Sequence, residues 1–558
     1  MPECDDRLMS TAGLDAATKR MVLVACILGT TVVTVDSTAI NVALPAIAED
    51  LGGGLAGQQW TANAYLLTLS SFLLIGGSLG DLIGERRVFF AGVLGFGVTS
   101  LLCALAPTIE LLVAARALQG ISGALLTPAA LAVIVRTFSE SERGQAVGAW
   151  TAWGGIGTVL GPVIGGQLVD SASWRWIFLI NLPLVLGTLF IVSRAVPADA
   201  PREPGARLDL TGAALCALGL AALTFGLIEQ PVRGWSDPLI VGSLIGGAAL
   251  LTGFVVYERH ASHPMLPLAL FKRRNFAAGN IETFAMYGGL SVVFFLLVLF
   301  LQGVAGYSAL EAGAASVPVT LVMFVLAARF GRLADRHGPR WFMGSGPLVC
   351  AAGLVLMLRL DADVDYWTEL LPALLVFSLG LAIVVAPLTA TVLSDADDHN
   401  AGIASAVNNA IARVAGLIAI AAIGALVAAQ YGSRLEEALG EVADQPAVRS
   451  ALPRLDDRPF EIERPPGLDP QTADAVVRAQ EEASVDSFHF GVGVAIVLVG
   501  LGGVLGFAGI RNPRRVVAAE GCAGGQFVGV PEDASRQSPC DWHRELPVVQ
   551  LPPRERTA

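Results

Sequence analysis

Charged side chains are scarce in this chain: Asp, Glu, Lys and Arg make up 15% of its 558 residues, whereas 54% are hydrophobic. About a quarter of the residues in a typical soluble protein are charged. The apolar residues here fall in runs of about 20, each long enough to cross the roughly 30 Å of bilayer hydrocarbon as a helix. The alternation of apolar and polar residues that is typical of outer-membrane strands is missing, so the sequence predicts an all-α integral membrane protein.

The chain also lacks the motifs of common catalytic and metal sites. It has no Walker lysine motif, no Gly-x-Ser-x-Gly nucleophile motif and no His-Glu-x-x-His zinc motif. None of its seven cysteines has a Cys-x-x-Cys partner, which argues against a metal site. A net charge of -12 argues against nucleic acid as a partner. We therefore predict no enzyme activity, no metal and no cofactor.

The longest apolar runs predict the transmembrane topology. Arg and Lys cluster in alternate connections between the runs, which places those connections and both termini in the cytoplasm. The connection at 394–400 carries acids in place of bases, but acids contribute little to this rule. The fourteen predicted spans are 21–46, 58–79, 88–106, 110–135, 144–169, 174–194, 209–230, 236–257, 276–302, 311–331, 341–358, 367–393, 402–429 and 488–510.

A polar hairpin occurs twice between two apolar runs, as GSLGDLIGERR from residue 77 and as GRLADRHGPR from residue 331. Two copies about 250 residues apart predict two related halves. We interpret the matched residues as a conformational gate, because the acid and the glycines recur together with the bases. The alternative is that the arginines only hold the loops inside. The matched pairs are Gly77 and Gly331, Asp81 and Asp335, Gly84 and Gly338, and Arg86 and Arg340.

Two charged residues within predicted spans point to proton coupling. Asp36 lies near the middle of the first span, and Arg116 lies in the fourth. Charges inside a bilayer are costly and usually face a cavity or a partner. A buried carboxyl can exchange protons near neutral pH, whereas an arginine keeps its proton and can act only on a neighbouring acid. The alternative for Asp36 is a carboxyl satisfied by nearby hydroxyls or by another helix.

Polar residues of the second half form a weaker candidate site. Glu282 of the ninth span could attract a cationic substrate or carry a proton, and Arg413 of the thirteenth could pair with it or cap cytoplasmic contacts. Asn408, Asn409 and Tyr287 could line a substrate cavity or serve helix packing. We predict Glu282, Asn408, Asn409 and Tyr287 as substrate-cavity residues.

A glycine motif marks the fifth span. Gly157, Gly161 and Gly165 recur every four residues and so share one helix face, where small residues let another helix approach closely. Pro162 removes one backbone donor, and Gly166 extends the motif. The motif is compatible with packing alone and with a role in gating.

Together these stretches resemble the major facilitator superfamily, and more closely its fourteen-helix drug/proton antiporters of the QacA and EmrB type. The similarity runs from residue 20 to about 430 and includes the last span. It is specific for the family but not for a substrate. The matching stretches are VDSTAINVALP from residue 35, the hairpin from residue 77, RALQGISGA from residue 116, GTVLGPVIGGQL from residue 157 and WRWIFLINLP from residue 174.

The resemblance implies two six-helix bundles with two further helices inserted between them. It also implies a role for Arg116 in proton coupling, and it makes the fifth-span glycines a mark of exporters. The expected organisation is a cytoplasmic tail at 1–20, a six-helix bundle at 21–194, two inserted transmembrane helices at 195–275, a second bundle at 276–510 and a disordered cytoplasmic tail at 511–558. A long extracytoplasmic loop is expected at 430–487, with short helices at 433–444 and 471–486.

The predicted function is proton-driven efflux of small amphipathic compounds, such as drugs or antibiotics, across a bacterial cytoplasmic membrane. The expected partners are the substrate, protons and the lipid bilayer, and a monomer is the expected state. One alternative is a dedicated exporter of one host metabolite or lipid. Another is a membrane scaffold that transports nothing.

Overall fold

The computed structural model describes residues 15–197, 209–262, 264–394 and 401–512, and its regular structure within these ranges is helical. Thirteen helical segments there are long and apolar enough to cross a membrane. One more helix, α2, has 30 residues and is therefore about 45 Å long. The predicted all-α membrane fold is confirmed. The predicted terminal tails lie largely outside the described residues, as does most of the acidic connection.

Seventeen α-helices follow one another along the described chain, and two of the spans are each built from two consecutive α-helices, α6 with α7 and α11 with α12. The helices are α1 (Ala16–Leu51), α2 (Gly54–Ile83), α3 (Glu85–Ala104), α4 (Ile109–Thr137), α5 (Glu140–Ser171), α6 (Trp176–Leu179), α7 (Asn181–Ala195), α8 (Leu210–Arg233), α9 (Pro238–Glu258), α10 (Arg274–Gly303), α11 (Ala309–Ala315), α12 (Val317–His337), α13 (Arg340–Met357), α14 (Leu371–Ser394), α15 (Ala401–Leu439), α16 (Pro446–Asp456) and α17 (Pro470–Gly509).

The two hairpins of the repeat have the same turn and the same attachment. Gly84 has a φ of 101° and Gly338 a φ of 88°, in the region that favours glycine. The arginine two residues after each turn then bonds to the last span of its own half. Arg86 Nη2 donates to a carbonyl of α7 at 3.1 Å, and Arg340 Nε donates to a carbonyl of α17 at 2.7 Å. This shared arrangement supports two related halves, the first formed by α1–α7 and the second by α10–α17.

The bundle has an inner end, which carries these two turns, and an outer end, which carries residues 440–469. At the outer end the halves contact each other through three polar side chains. Gln59 Nε2 of α2 donates to a carbonyl of α15 at 2.7 Å, and Gln302 Nε2 of α10 donates to a carbonyl of α1 at 3.0 Å. Asp170 of α5 accepts from the first two backbone N–H groups of α11 at 3.1 and 2.9 Å. The structure is therefore closed toward the outer end.

The helices that flank residues 440–469, which we call the outer segment, are longer than the sequence predicted. The two short helices expected at 433–444 and 471–486 are largely the ends of α15 and α17, which continue beyond the apolar runs. A third helix, α16, lies between them. Hydropathy predicts where a bilayer ends but not where a helix ends, because helical hydrogen bonds continue in water. These three elements share a small apolar core, which includes Tyr431, Leu435, Leu455, Val476 and Ala483.

The outer segment lies against both halves of the protein. The backbone N–H of Leu55 donates to the carbonyl of Asp457 at 3.2 Å, and Gln58 Nε2 donates to Glu461 Oε1 at 3.2 Å. On the other side, a Cβ at Gly303 of α10 would lie 1.6 Å from the carbonyl oxygen of Phe460. Only glycine permits this contact. The segment therefore joins the start of α2 to the end of α10.

Glu461 predicts a pH dependence for this contact. Burial raises the pKa of the Glu461 carboxyl above its ordinary value of 4.5. The folded protein thus binds this proton more tightly than the unfolded chain does. The contribution of Glu461 to stability is fully present below the pKa that its carboxyl has in the unfolded chain. It is lost as the pH rises through the higher pKa of the same carboxyl in the folded protein. We expect the melting temperature of Glu461→Gln to fall less than that of the wild type as the pH rises from about 4 to 7.

Glu441→Gln serves as the control for this measurement, because Glu441 is an exposed acid of the same segment. It should follow the wild-type curve. Parallel melting curves for Glu461→Gln and the wild type would contradict the assignment.

Candidate functional site

The first half contains a buried ion pair between α1 and α4. Arg116 Nη1 donates to Asp36 Oδ2 at 2.5 Å, and the side chains are 1% and 0% exposed. The guanidinium also donates from Nε to the carbonyl of Thr61 at 3.2 Å. Removing one partner of a buried pair leaves an uncompensated charge, at a cost of about 3–5 kcal/mol. The structure thus brings together the two residues that the sequence singled out for proton coupling.

Three further polar side chains complete the surroundings of Asp36. Gln119 of α4 accepts from Arg116 Nη1 at 2.6 Å and donates from Nε2 to Asp36 Oδ1 at 2.9 Å. Asn181 of α7 donates to the same oxygen at 3.0 Å. Both amides also donate to the Ser100 hydroxyl of α3. Asp36 accepts three hydrogen bonds in this state, two at Oδ1 and one at Oδ2, and a proton placed on it would remove the negative charge that holds Arg116.

The ion pair lies at the wall of a cavity between the two halves. This cavity has a volume of about 280 Å³, and its polar lining includes Arg116 and Tyr65 from the first half and Arg413 from the second. The Arg116 guanidinium carbon lies 4.5 Å from the centre of the Tyr65 ring, within the range of a cation–π contact. A change in the Asp36–Arg116 pair would therefore alter the cavity wall directly.

The fifth-span glycines make two different contacts. On one face, a Cβ at Gly161 would lie 2.0 Å from Thr38 Oγ1, and a Cβ at Gly165 would lie 2.8 Å from Ala39 Cβ, both in α1. Gly157 approaches the same helix with a 3.1 Å contact. On another face, a Cβ at Gly166 would lie 2.5 Å from a carbonyl oxygen of α11. The motif therefore packs α5 against α1 of its own half and against the second half at once.

Pro162 takes part in the same contact between the halves. A Cβ at Gly313 of α11 would lie 2.3 Å from the carbonyl oxygen of Pro162, so this glycine lets the backbones of α11 and α5 meet. The sequence motif predicted a close helix contact but not its partner in the second half.

The predicted gate residues lie at the inner ends of the hairpin helices. Gly77 and Gly331 have room for a methyl group, since the nearest atoms to a Cβ there are 3.9 and 3.5 Å away. The close contact between α2 and α4 lies one residue earlier, at Gly76, where a Cβ would lie 2.1 Å from a carbonyl oxygen of α4. Asp335 is exposed, and the side chain of Asp81 lies outside the described residues. The gate role stays a prediction.

The four predicted substrate residues of the second half are not among those that line the central cavity. Glu282 is fully buried, lies against Gly502 and Gly506 of α17, and has no hydrogen-bond partner for either oxygen among the described residues. Asn408 donates to Asn280 and Thr283 of α10 at 3.1 and 2.8 Å. Their substrate role stays a prediction, without support from this placement.

The other two members of that set also lie apart from the cavity lining. Asn409 is exposed and donates to a carbonyl one turn earlier on its own helix. Tyr287 is partly buried, packed against the main apolar core of the second half. Neither is placed to contact a solute in this cavity.

Sequence reasoning missed several members of the site. Gln119 follows Arg116 by three residues and therefore shares its helix face, a spacing that could have identified it. Asn181 interrupts an apolar run and carried a similar signal. Ser100 carried none, because serine is common in transmembrane helices for other reasons.

Comparison with known proteins agrees with this architecture. The chain matches the family described as Major Facilitator Superfamily over residues 26–420. It is 36% identical over 407 residues to a puromycin resistance protein of Streptomyces alboniger, which covers 72% of this chain and 80% of that protein. It is 35% identical over 420 residues to a tetracenomycin C resistance and export protein of Streptomyces glaucescens, with 74% and 76% covered.

Solved structures share the fold at low sequence identity. A bacterial homolog of the human lysosomal transporter Spinster, in an inward-facing and occupied conformation, superposes with a TM-score of 0.62 at 17% identity. The match covers 89% of this chain and 98% of that one.

Proposed function

The chain belongs to the major facilitator superfamily, and from this premise we propose that it exports small amphipathic compounds, such as drugs or antibiotics, in exchange for protons. It is a multi-pass membrane transporter by family and not an enzyme. The proposed location is the cytoplasmic membrane of a bacterium, with the inner end in the cytoplasm. Relatives named for resistance and export support this function.

The observation that carries the proposal is the buried Asp36–Arg116 pair at the wall of a cavity shared by both halves. A cavity between two bundles can open to either side in turn, as alternating access requires. Protonation of Asp36 neutralises one partner and weakens its bond to Arg116. Because Arg116 lines the cavity, the cavity wall changes when Asp36 gains a proton. Loss of the proton restores the pair.

A transport assay tests the proposal. Cells of a drug-sensitive bacterium that express the chain are loaded with ethidium or with fluorescein, and efflux is followed with and without a proton uncoupler. Faster efflux than in cells with an empty vector, abolished by the uncoupler, is the expected result. Efflux that persists with the uncoupler would contradict proton coupling.

A dedicated exporter of one host metabolite is the second candidate. The relatives are named for single compounds, puromycin and tetracenomycin C among them, which favours a narrow substrate range. Growth protection against one compound of a chemically diverse antibiotic panel would support this candidate. Protection against many would support the broad exporter. No described feature favours a scaffold that transports nothing.

A further inference from the structure

Among the described residues, the second half contributes one charged residue to the central cavity, and it is a cation. Arg413 lies in α15, about 18 Å along the helix from its inner start, and lines the cavity with Arg116. No Asp or Glu is among the residues that line this cavity in the described part of the chain. The wall thus carries two guanidinium groups and no carboxylate of its own.

The two arginines differ in their partners. Arg116 is paired with Asp36 and bonds to Gln119 and a backbone carbonyl. Arg413 has no hydrogen bond or ion pair among the described residues, and its Nε is buried without a partner. An unpaired charge within the bilayer is costly, and such residues usually face a partner or a solute path. The described part of the chain supplies no counter-ion to Arg413.

A second donor without a partner belongs to another residue of the cavity wall. Tyr65 of α2 is 1% exposed, and its hydroxyl is buried without a hydrogen-bond partner. Tyr65 lines the cavity from the first half, opposite the half that carries Arg413. A buried hydroxyl that lacks a partner loses the hydrogen bonds it had in water. The residues that line the cavity therefore include a second donor without a partner among the described residues.

The remaining lining fits an amphipathic solute. Ser37, Thr38 and Asn41 provide neutral polar groups on α1, whereas Leu290, Phe294 and Ile420 provide an apolar wall from the second half. An anionic group near Arg413 would leave the apolar part of the molecule against these side chains. A cationic solute would face two guanidinium groups with one carboxylate, already engaged, behind them.

We propose that the central cavity selects amphipathic compounds that carry an acidic group, a carboxylate or an ionised phenol, and that Arg413 is the residue that binds this group. This inference rests on the proposed export function, whose substrate class it names. Arg413 is a binding residue here. Charge-assisted hydrogen bonds to a guanidinium are stronger than neutral ones, so the charge of the solute should dominate selection.

The test compares two xanthene dyes of opposite charge, fluorescein as the anion and pyronin Y as the cation. Binding to the purified full-length protein in lipid nanodiscs is measured by fluorescence anisotropy. We expect fluorescein to bind at least about tenfold more tightly than pyronin Y. Arg413→Gln should remove that preference, and Arg413→Lys should retain part of it because the charge remains.

Arg434→Gln is the matched control, since Arg434 lies on the same helix outside the cavity lining and pairs with Glu437. It should keep the wild-type preference. Equal binding of the two dyes, binding of neither, or a preference that survives Arg413→Gln would each overturn the inference.

Efflux of the same two dyes separates this inference from the proposed function. A binding preference that depends on Arg413, with neither dye exported, would leave the inference standing and contradict the proposed export of a broad range of amphipathic compounds. Uncoupler-sensitive export of pyronin Y at the rate of fluorescein would leave export standing and overturn the inference.

Discussion

Replacing Asp36 with Asn is expected to abolish proton-driven efflux while the protein still inserts into the membrane. The carboxylate is fully buried and accepts three hydrogen bonds, one of them from Arg116. Asparagine keeps the size of the side chain but cannot take up and release a proton. It also leaves Arg116 as a buried cation without a counter-charge, which disfavours the folded state by about 3–5 kcal/mol. Efflux in excess of the empty-vector rate should disappear.

Asp50→Asn provides a matched control on the same helix. Asp50 also accepts from an arginine at 2.5 Å, Arg175, but this pair lies at the outer end and the two side chains are 46% and 34% exposed. Exposed pairs contribute about 0–1 kcal/mol, so this variant should keep near-normal efflux. Both variants are measured at equal amounts of protein in the membrane fraction. Uncoupler-sensitive efflux by Asp36→Asn at the wild-type rate would refute the role of Asp36.

Much of the architecture could be predicted from the sequence because the bilayer limits the choices. Apolar runs of a fixed length identify spans, and the repeated hairpin identifies two halves. Glycine at Gly84 and Gly338 predicts the same sharp turn in both copies, because other residues are strained at their φ angles. These signals are local, so one sequence is enough to read them.

The candidate site was harder to predict because its contacts are not local. Asp36 meets residues from α3, α4 and α7, and helix order does not show which faces meet. A single residue also matters: one step along a helix turns the side chain by about 100°. This rotation separates Gly77, which has room, from Gly76, which touches α4. It likewise decides whether Glu282 faces the cavity or α17.

Adding one methyl group at Gly166 is expected to open the outer end. A Cβ there would lie 2.5 Å from a carbonyl oxygen of α11 and 2.6 Å from the Cα of Leu310, both in the second half. These are backbone atoms and cannot move aside like the end of a long side chain. Overpacking of this kind costs about 1–3 kcal/mol. Such a cost shifts an equilibrium between two states roughly five- to 150-fold, away from the closed outer end.

Gly155→Ala isolates the effect of this contact. Gly155 lies on the same helix, and nothing lies within 4 Å of a Cβ placed on it. Both substitutions gain about 1 kcal/mol of helix propensity, so a difference between them reflects contact with the second half. Spin labels at Ala172 and Asp363, exposed residues at the outer ends of the two halves, report the distance between them.

Gly166→Ala should lengthen this distance and slow efflux about tenfold, while Gly155→Ala should match the wild type. The change in the distance between the labels distinguishes a glycine motif that acts in gating from one that acts in packing alone. If the glycines served only to pack α5 within its own half, Gly166→Ala would lower stability and leave the distance between the halves unchanged. Because Gly166 touches α11 while Gly161 and Gly165 touch α1, the motif joins packing to gating: the helix that closes the outer end is the one held against the helix of Asp36.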